Sequence, residues 1–335
     1  MKSTISKTIT LLFALIALPI SGLAQFPERD ITNVVVWGAG GGTDSVNRMV
    51  SAEMAKILGV NINVTNKTGG AAGSIGMSYV HGQPADGYTI VGMSESNVNA
   101  AVQGGWEQKM SVWHPFIVAG SPDLISVTPS SPYQTLEELI DAAKSAPNTI
   151  KAAASGAGSI HHLNLLALMA GSESEFKFIP YPGSAPGQNA ALAGEVTVVV
   201  TSLAEQQQLI RAGKLRPLAM LVENAFDMEG VGTIPSAFAS YPSLTDHLPI
   251  SQAIGMAVRA EVPDDAKSRI TAAFNAALET DAVKNWAKDN YYIISGKSGD
   301  EASAIFASLE SKFAWTLYDL GAAKHSPEKF GIPRP

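Results

Sequence analysis

The chain has 335 residues, of which 46% are hydrophobic and 16% are charged, and its formal net charge is −7. This composition is typical of a folded α/β protein and excludes a disordered chain, and the negative charge argues against nucleic acid or an anionic membrane surface as a partner. The absence of cysteine excludes disulfides, thiolate metal sites and a lipid anchor on an N-terminal cysteine.

The first 24 residues have the pattern of a secretory signal peptide. Lys2 and Lys7 precede an apolar run over 9–20, and the small residues Gly-Leu-Ala at 22–24 suit cleavage. No later stretch reaches the roughly 20 apolar residues of a membrane helix. We therefore expect an exported, periplasmic protein that begins near Gln25.

The next predicted elements are a β-branched strand over 31–36, a glycine-rich loop over 37–42 and a helix. Free N–H groups at the start of such a helix favour an anion, and Thr43 or Asp44 is placed to cap it. No Lys or Arg lies between 31 and 45, so uncharged backbone and hydroxyl groups would hold that anion. This favours a carboxylate over a polyphosphate.

The same pattern then repeats. A strand over 61–65 leads into a small-residue loop over 68–76, which opens a helix through about His81, and a turn at 85–88 precedes a third strand over 89–93. Strands that alternate with helices through short loops predict a doubly wound, mostly parallel sheet that binds ligands at the carboxyl ends of its strands. Both glycine loops are expected on the same edge.

Two short apolar runs around 120–122 predict a crossing into a second lobe, where the opening pattern returns. A strand over 150–154 ends in a glycine-serine loop at 155–159, and a strand over 176–179 ends in a loop at 181–186. Further strands and helices follow up to about residue 220. The second lobe therefore also offers uncharged loops at helix starts.

After an irregular, proline-containing segment, the chain is expected to return to the first lobe through a strand over 254–258 and two amphipathic helices. The predicted fold class is α/β with two lobes, each a doubly wound, mostly parallel sheet, joined by two crossings. After the signal peptide at 1–24, the predicted domains are lobe 1 (25–122 and 250–335) and lobe 2 (123–249). A ligand in the cleft between them should carry an acidic group for each lobe.

Short motifs follow one another in a fixed order: 26–31 (FPERDI), 40–44 (GGGTD), 66–70 (NKTGG) with 75–76 (IG), 85–89 (ADGYT), 158–163 (GSIHHL), 180–186 (PYPGSAP), 201–203 (TSL) and 212–219 (AGKLRPLA). In this order they resemble the solute-binding proteins of tripartite tricarboxylate transporters, the TctC or Bug type. The resemblance implies a periplasmic-binding-protein-like fold that closes on a hinge, with no enzyme activity, cofactor or metal. It also implies a monomer whose partners are a small organic carboxylate and the membrane subunits of the transporter.

In that family, backbone and hydroxyl groups of the first lobe hold one carboxylate, partly through water, and the second lobe meets the distal end of the ligand. The resemblance implies these ligand-binding residues: Trp37, Ala39, Gly40, Gly41, Thr43, Asp44, Gly73, Ser74 and Ile75 in lobe 1, and Ser159, His162, Tyr181, Ala185, Thr201 and Ser202 in lobe 2. The sequence departs from the family pattern at Val36, where proline is common, in a second loop one residue longer, and at Thr201, where Asp is frequent. The missing acidic residue favours di- or tricarboxylates or aromatic acids over amino acids.

Individual residues leave alternatives open. Trp37 either stacks on the ligand or shields the loop. Asp44 is interpreted mainly as a cap that orients the loop, since a carboxylate repels a carboxylate, and His162 as a donor of a charge-assisted hydrogen bond.

A hydrolase of carboxylate esters is the alternative enzyme hypothesis, because His161 and His162 adjoin Ser159. Three neighbours at one helix start do not easily form a nucleophile, base and orienting group, and no Gly-x-Ser-x-Gly motif exists in the chain. The glycines at 38–42 lack the third glycine of a dinucleotide loop and the Lys-Ser/Thr of a P-loop. The binding component of a carboxylate-sensing system is a further alternative.

Overall fold

The computed structural model describes residues 26–246, 248 and 252–335. The predicted signal peptide lies outside the described residues, as does part of the predicted return crossing at 249–251.

The strands are β1 (Ile31–Val35), β2 (Ile62–Asn66), β3 (Thr89–Ser94), β4 (Trp113–Gly120), β5 (Asp123–Val127), β6 (Lys151–Ala153), β7 (Lys177–Ile179), β8 (Val198–Ser202), β9 (Arg216–Met220), β10 (Phe226–Met228), β11 (Gly232–Ile234), β12 (Ile254–Arg259) and β13 (Ile293–Ser298). The α-helices are α1 (Gly42–Leu58), α2 (Ser74–His81), α3 (Leu136–Ser145), α4 (Ile160–Ser172), α5 (Ser184–Leu192), α6 (Leu203–Arg211), α7 (Ala237–Ser240), α8 (Asp264–Leu278), α9 (Asp281–Asp289) and α10 (Gly299–Asp319).

Two sheets form the centres of the two lobes. The six-stranded sheet of lobe 1 has the order β13-β4-β12-β3-β1-β2, and the five-stranded sheet of lobe 2 has the order β7-β6-β8-β5-β9. The strands of lobe 1 come from residues 31–120 and 254–298, and those of lobe 2 come from residues 123–220. This confirms the predicted α/β, two-lobe fold class.

Both sheets are mixed, which corrects the prediction of mostly parallel sheets. In lobe 1, β1 pairs in parallel with β2 and β3, whereas β12 runs antiparallel to both β3 and β4. In lobe 2, β6 pairs in parallel with β7 and β8, and β5 runs antiparallel to β8 and β9. Strands β5 and β12 adjoin the crossings, and a chain that enters or re-enters a sheet there can insert its strand in the opposite direction.

Helix α1 forms as its sequence pattern predicts. Val46, Val50 and Met54 recur at a spacing of four, and all three side chains are fully buried. The helix ends where Gly59 adopts a left-handed conformation (φ 73°) and its N–H bonds to the carbonyl of Ala55. The other end of α1 faces lobe 2, because the Gly42 N–H donates to Oε1 of Glu205.

The two passages between the lobes lie against each other. Strand β4 leads directly into β5 through Ser121 and Pro122, and the Ser121 N–H donates to Oε1 of Gln252, just before β12, at 2.9 Å. A Cβ on Gly120 would lie 2.4 Å from the carbonyl oxygen of Gln252. This close pair of strand connections is the hinge expected of a two-lobe binding protein.

Candidate functional site

The two lobes are closed on each other through direct hydrogen bonds. The Gly38 N–H donates to the carbonyl of Pro182 at 2.9 Å, and the Gly42 N–H donates to Oε1 of Glu205 at 2.7 Å. Two further bonds between the lobes lie nearby: Asn99 Nδ2 donates to the carbonyl of Gly158 at 2.8 Å, and the Ile160 N–H donates to Ser96 Oγ at 2.9 Å. The glycine loops of lobe 1 therefore meet the helix-starting loops of lobe 2, as the sequence pattern predicts.

An inner cavity of about 20 Å³ remains where these loops meet. This volume holds a single water-sized group and is too small for a dicarboxylate. The lining residues are Trp37, Gly41, Gly42, Thr43, Ser94, Glu95, Ser96, Ser155, Ser159, His161, Gly183, Ser184, Glu205, Gln252 and Ile254.

A larger outer cavity of about 340 Å³ lies on the other side of Trp37. It is lined by Trp37, Gly69, Gly70, Ala71, Gly156, Ala157, Pro180, Tyr181, Pro182 and Lys324. Trp37 is 92% buried as a residue, and its indole Nε1 has no hydrogen-bond partner among the described residues. A buried donor without a partner beside two cavities calls for an acceptor, such as a carboxylate oxygen.

Glu205 lies at the centre of a network of hydrogen bonds and an ion pair at the cleft. Its Oε1 accepts from Gly42, and its Oε2 accepts from the Ser202 N–H at 3.0 Å and the Ser202 hydroxyl at 2.9 Å. His161 Nε2 lies 3.2 Å from Oε2. Burial by itself raises the pKa of Glu205, but the charge of His161 and these hydrogen bonds outweigh it and lower the pKa to about 2.

His161 is held between two buried carboxylates. Its Nδ1 lies 2.7 Å from Oδ2 of Asp123, which also accepts from Asn164 Nδ2 at 2.7 Å. Burial lowers the pKa of His161, but the negative charges of Asp123 and Glu205 outweigh it, so the pKa stands well above its usual value. The imidazole is therefore protonated at neutral pH. The contacts from Asp123 to His161 and from His161 to Glu205 connect the interior of lobe 2 to the start of α1.

Glu95 is a second acidic side chain in the inner cavity. Its carboxylate accepts from the Ala253 N–H at 2.6 Å and from Ser96 Oγ at 2.8 Å. Burial raises its pKa, and these hydrogen bonds offset only part of that rise. Together, Glu95 and Glu205 correct the expectation that only uncharged amide and hydroxyl groups face the cleft.

The ligand-binding residues predicted in the first loop divide into three positions. Trp37, Gly41 and Thr43 line the inner cavity, whereas Ala39 and Gly40 are exposed outside it. Asp44 is buried and lines neither cavity.

Asp44 fastens the loop to the rest of lobe 1. It accepts from the Gly40 N–H at 2.9 Å and from Asn66 Nδ2 at 2.8 Å, and it pairs with Arg48 at 2.9 Å. The prediction that Thr43 or Asp44 caps α1 is wrong, because the N-cap is Gly41, without a side-chain cap. Asp44 does orient the loop as predicted, although from inside the first turn.

The predicted residues of the second loop line neither cavity, although Ser74 and Ile75 lie beside the outer-cavity residues Gly69 and Gly70. Gly73 is the N-cap of α2, and Ser74 is buried with its hydroxyl directed towards Gly105, where an added Cβ would lie 2.6 Å from it. Ile75 is 52% exposed. The preceding residues, Gly69 to Ala71, line the outer cavity instead.

In lobe 2, the structure places the neighbouring histidines in opposite environments. Ser159 lines the inner cavity and caps α4, with its Oγ accepting from the His162 N–H at 3.2 Å. The His162 ring stacks on Phe178, with 4.0 Å between ring centroids, and its Nδ1 accepts from the Gly158 N–H. Burial lowers the pKa of His162 to about 4, so at neutral pH it is uncharged. His161 is the histidine with charged partners, and these are Asp123 and Glu205, whereas a hydrogen bond from His162 to a ligand stays a prediction.

The remaining predicted residues of lobe 2 surround the cavities without entering the inner one. Tyr181 lines the outer cavity, and Ala185 is half-buried opposite Gly40. Thr201 is buried, and its Oγ1 accepts from Gln188 Nε2 at 3.0 Å. Ser202 caps α6 and is bonded to Glu205.

Sequence reasoning missed Glu95, Glu205 and Lys324 at the cleft, and it considered His161 only for the hydrolase alternative. Ser202-x-x-Glu205 has the spacing of a capping box, a pattern that predicts the helix start and therefore the position of Glu205 at the edge of lobe 2. No comparable local pattern points to Lys324, which reaches the outer cavity from the segment after α10.

Two further properties concern the described residues only. Between 26 and 246 and between 252 and 335, no cluster of three His, Asp or Glu side chains is arranged to hold a metal ion. In the same part of the chain, every helix is too short or too polar to cross a bilayer.

Two lobes on a paired hinge, closed over a cleft made by helix-starting loops, define the class of two-lobe solute-binding folds. The chain belongs to the tripartite tricarboxylate transporter family receptor (TctC) family, whose model matches residues 46–304. Members of this family are receptors and not enzymes.

Known proteins agree with this assignment. The chain is 31% identical over 214 residues to protein BugT of Bordetella pertussis, covering 62% of this chain and 64% of that protein. The chain spans about three fifths of the length of the curated relatives it matches. The fold is similar to that of the periplasmic binding protein BugD (TM-score 0.81, 24% identity, 90% of this chain and 100% of BugD). It is also similar to MatC from Rhodopseudomonas palustris with bound malate (TM-score 0.78, 22% identity, 87% and 100% covered).

Proposed function

We propose that this protein is a periplasmic receptor that captures an organic acid with two or more carboxylates between its lobes and delivers it to the membrane subunits of a tripartite transporter. The observation that carries the proposal is the family match over residues 46–304. The malate bound to MatC, a protein of the same fold, supports a small dicarboxylate as the ligand. The lobes are assigned as 25–122 with 250–335 and as 123–249, the protein acts as a monomer, and residues 1–24 direct its export.

The ligand must enter when the cleft opens, because the closed inner cavity accommodates only one water-sized group. One carboxylate of the ligand is assigned a position between the N-terminus of α1 and the indole N–H of Trp37, where the inner and outer cavities meet. The rest of the molecule extends into the outer cavity, towards Tyr181 and Lys324. We propose that the ligand-binding residues implied by the resemblance, in lobe 1 and lobe 2, surround the acid in this arrangement.

Binding without turnover is the expected behaviour. C4 to C6 diacids, citrate and aromatic diacids, added one at a time, should include an acid that binds with one-to-one stoichiometry in calorimetry. Monocarboxylate analogues of that acid should bind more weakly, because they lose the contacts that the second acid group makes in the outer cavity. Equal affinity for the monocarboxylate would contradict the two-ended grip, and turnover of carboxylate esters would favour the hydrolase alternative.

Lys324 is the expected partner of the distal carboxylate. Among the residues that line the two cleft cavities, it is the only Lys or Arg. Because the side chain is exposed, Lys324→Ala should weaken diacid binding only about two- to fivefold, and should leave the monocarboxylate analogue unaffected. Lys312→Ala, at an exposed lysine of α10 that lines neither cavity, is the matched control; calorimetry that finds the two variants alike would remove Lys324 from the site.

A further inference from the structure

We infer that Glu205 is a tethered carboxylate that occupies, in the closed protein, the place on lobe 1 that a ligand carboxylate must take. Glu205 stands on α6 of lobe 2, yet its Oε1 accepts from Gly42 at the start of α1, across a sequence separation of 163 residues. The inference rests on the proposed function, since it names the group with which the acid ligand competes.

The geometry at α1 is that of a bound anion. Helix α1 has 17 residues, its N-cap has no side-chain cap, and the Glu205 carboxylate supplies the missing acceptor. A Cβ added to Gly42 would lie 3.0 Å from Oε1 of Glu205, so the absence of a side chain at Gly42 lets the carboxylate come this close.

A second donor of the same cavity is still unpaired. The buried Nε1 of Trp37 has no partner among the described residues, although Trp37 and Glu205 line the same inner cavity. One carboxylate from the protein therefore satisfies the start of α1 but not the indole, whereas a ligand with its own carboxylate can satisfy both.

The side chain of Glu205 is held in place from behind. Ser202 donates to Oε2 through both its N–H and its hydroxyl, and His161 lies 3.2 Å from the same oxygen. Only 5% of the Glu205 side chain is exposed. With one oxygen fixed in lobe 2 and the other bonded to lobe 1, the carboxylate is one of the groups that join the lobes, and a ligand acid must displace it from Gly42.

Removing the tethered carboxylate should create a site for a free one. Glu205→Ala takes away the side chain and leaves the Gly42 N–H and His161 facing a space that acetate fits. Acetate should then raise the melting temperature of Glu205→Ala in a saturable way, by about 3 °C at ten times its Kd. Wild type and Glu205→Gln, whose side chains fill the space, should show no rise beyond that given by chloride at equal ionic strength. An equal acetate response in all three proteins, or none in Glu205→Ala, overturns the inference.

Lobe closure provides a readout that does not depend on the alanine variant. The chain has no cysteine, so Lys144→Cys on lobe 2 and Asn275→Cys on lobe 1, both at exposed positions, accept a pair of dyes without background labelling. Wild type without added acid should show high energy transfer, and Glu205→Gln should show a lower value because its neutral amide oxygen is a weaker acceptor for the Gly42 N–H than the carboxylate. Equal transfer in the two proteins contradicts a closing role for Glu205. Neither measurement uses a transported acid, so a negative result leaves the proposed carboxylate receptor to be judged by its own binding experiment.

Discussion

His161→Gln should lower the free energy of unfolding by about 3 to 5 kcal/mol, measured by urea denaturation at pH 7. The imidazolium lies between the buried carboxylates of Asp123 and Glu205, and all three side chains are at least 94% buried. Removing the cation leaves two uncompensated negative charges in the interior of lobe 2, which is the costly way to break a buried ion pair. A loss below about 1 kcal/mol would mean that the histidine is not charged in the folded protein.

The pH dependence of the same variant tests the charge directly. Because the pKa of His161 in the folded protein stands well above 6.5, its stabilising effect is complete below pH 6.5 and is lost as the pH rises towards the folded pKa. The stability difference between wild type and His161→Gln should therefore shrink by about 1.4 kcal/mol per pH unit above pH 6.5.

His162→Gln is the matched control, because the adjacent histidine should respond in the opposite direction. Burial lowers the pKa of His162 to about 4, so folding excludes its proton between about pH 4 and 6.5 and wild type loses stability as the pH falls through that range. His162→Gln should remove this acid-dependent loss and leave the alkaline side unchanged. Identical pH profiles for the two variants would contradict the assignment of one charged and one neutral ring.

Much of the fold could be predicted from the sequence because its signals are local. The β-branched strand before 37–42, the apolar spacing of α1 and the glycines at loop ends are visible within a few residues of each other. The direction of the strands was harder to predict. The insertion of β12 between β3 and β4 depends on how the chain returns from lobe 2, and nothing near residue 254 encodes that pairing. Strand β13 alternates weakly between buried and exposed residues, and sequence reasoning did not predict it.

The sequence allowed us to predict the backbone loops that form the site, but not the charged side chains that enter it. Glycine loops at helix starts imply close approach and free N–H groups, and Gly38 and Gly42 do meet lobe 2. Which acidic or basic side chain enters the cleft is decided by tertiary contacts. His161 and His162 illustrate this, because one residue along a helix turns the side chain by about 100°, and that turn separates an ion pair from an aromatic stack.

The acidic groups also change how selectivity is expected to arise. With Glu95 and Glu205 in the inner cavity beside a single cation, His161, a free anion must replace the existing carboxylate at the start of α1. Affinity then depends on what the ligand gains elsewhere, at Trp37 and in the outer cavity, beyond what Glu205 already provides at Gly42. This favours acids with a second polar end over simple monocarboxylates.

Closure depends on backbone contact at Gly38, and Gly38→Ala should therefore reduce ligand affinity about 10- to 100-fold. A Cβ at this position would lie 2.9 Å from the carbonyl oxygen of Pro182, the acceptor of the Gly38 N–H. Backbone atoms on both sides cannot move without separating the lobes, and overpacking of this kind costs about 1 to 3 kcal/mol, which falls on the closed state alone.

Because the penalty is confined to closure, Gly38→Ala should unfold in urea at much the same concentration as wild type. It should bind its acid more weakly in calorimetry, and it should show a larger radius of gyration in X-ray scattering. Gly82→Ala is the control: its added Cβ would lie 3.5 Å from the nearest backbone oxygens, an ordinary contact on the far end of α2. If Gly38→Ala bound as tightly as Gly82→Ala, the ligand would have to be held without the contact between Gly38 and Pro182, and the closed arrangement of the loops would not be the binding-competent one.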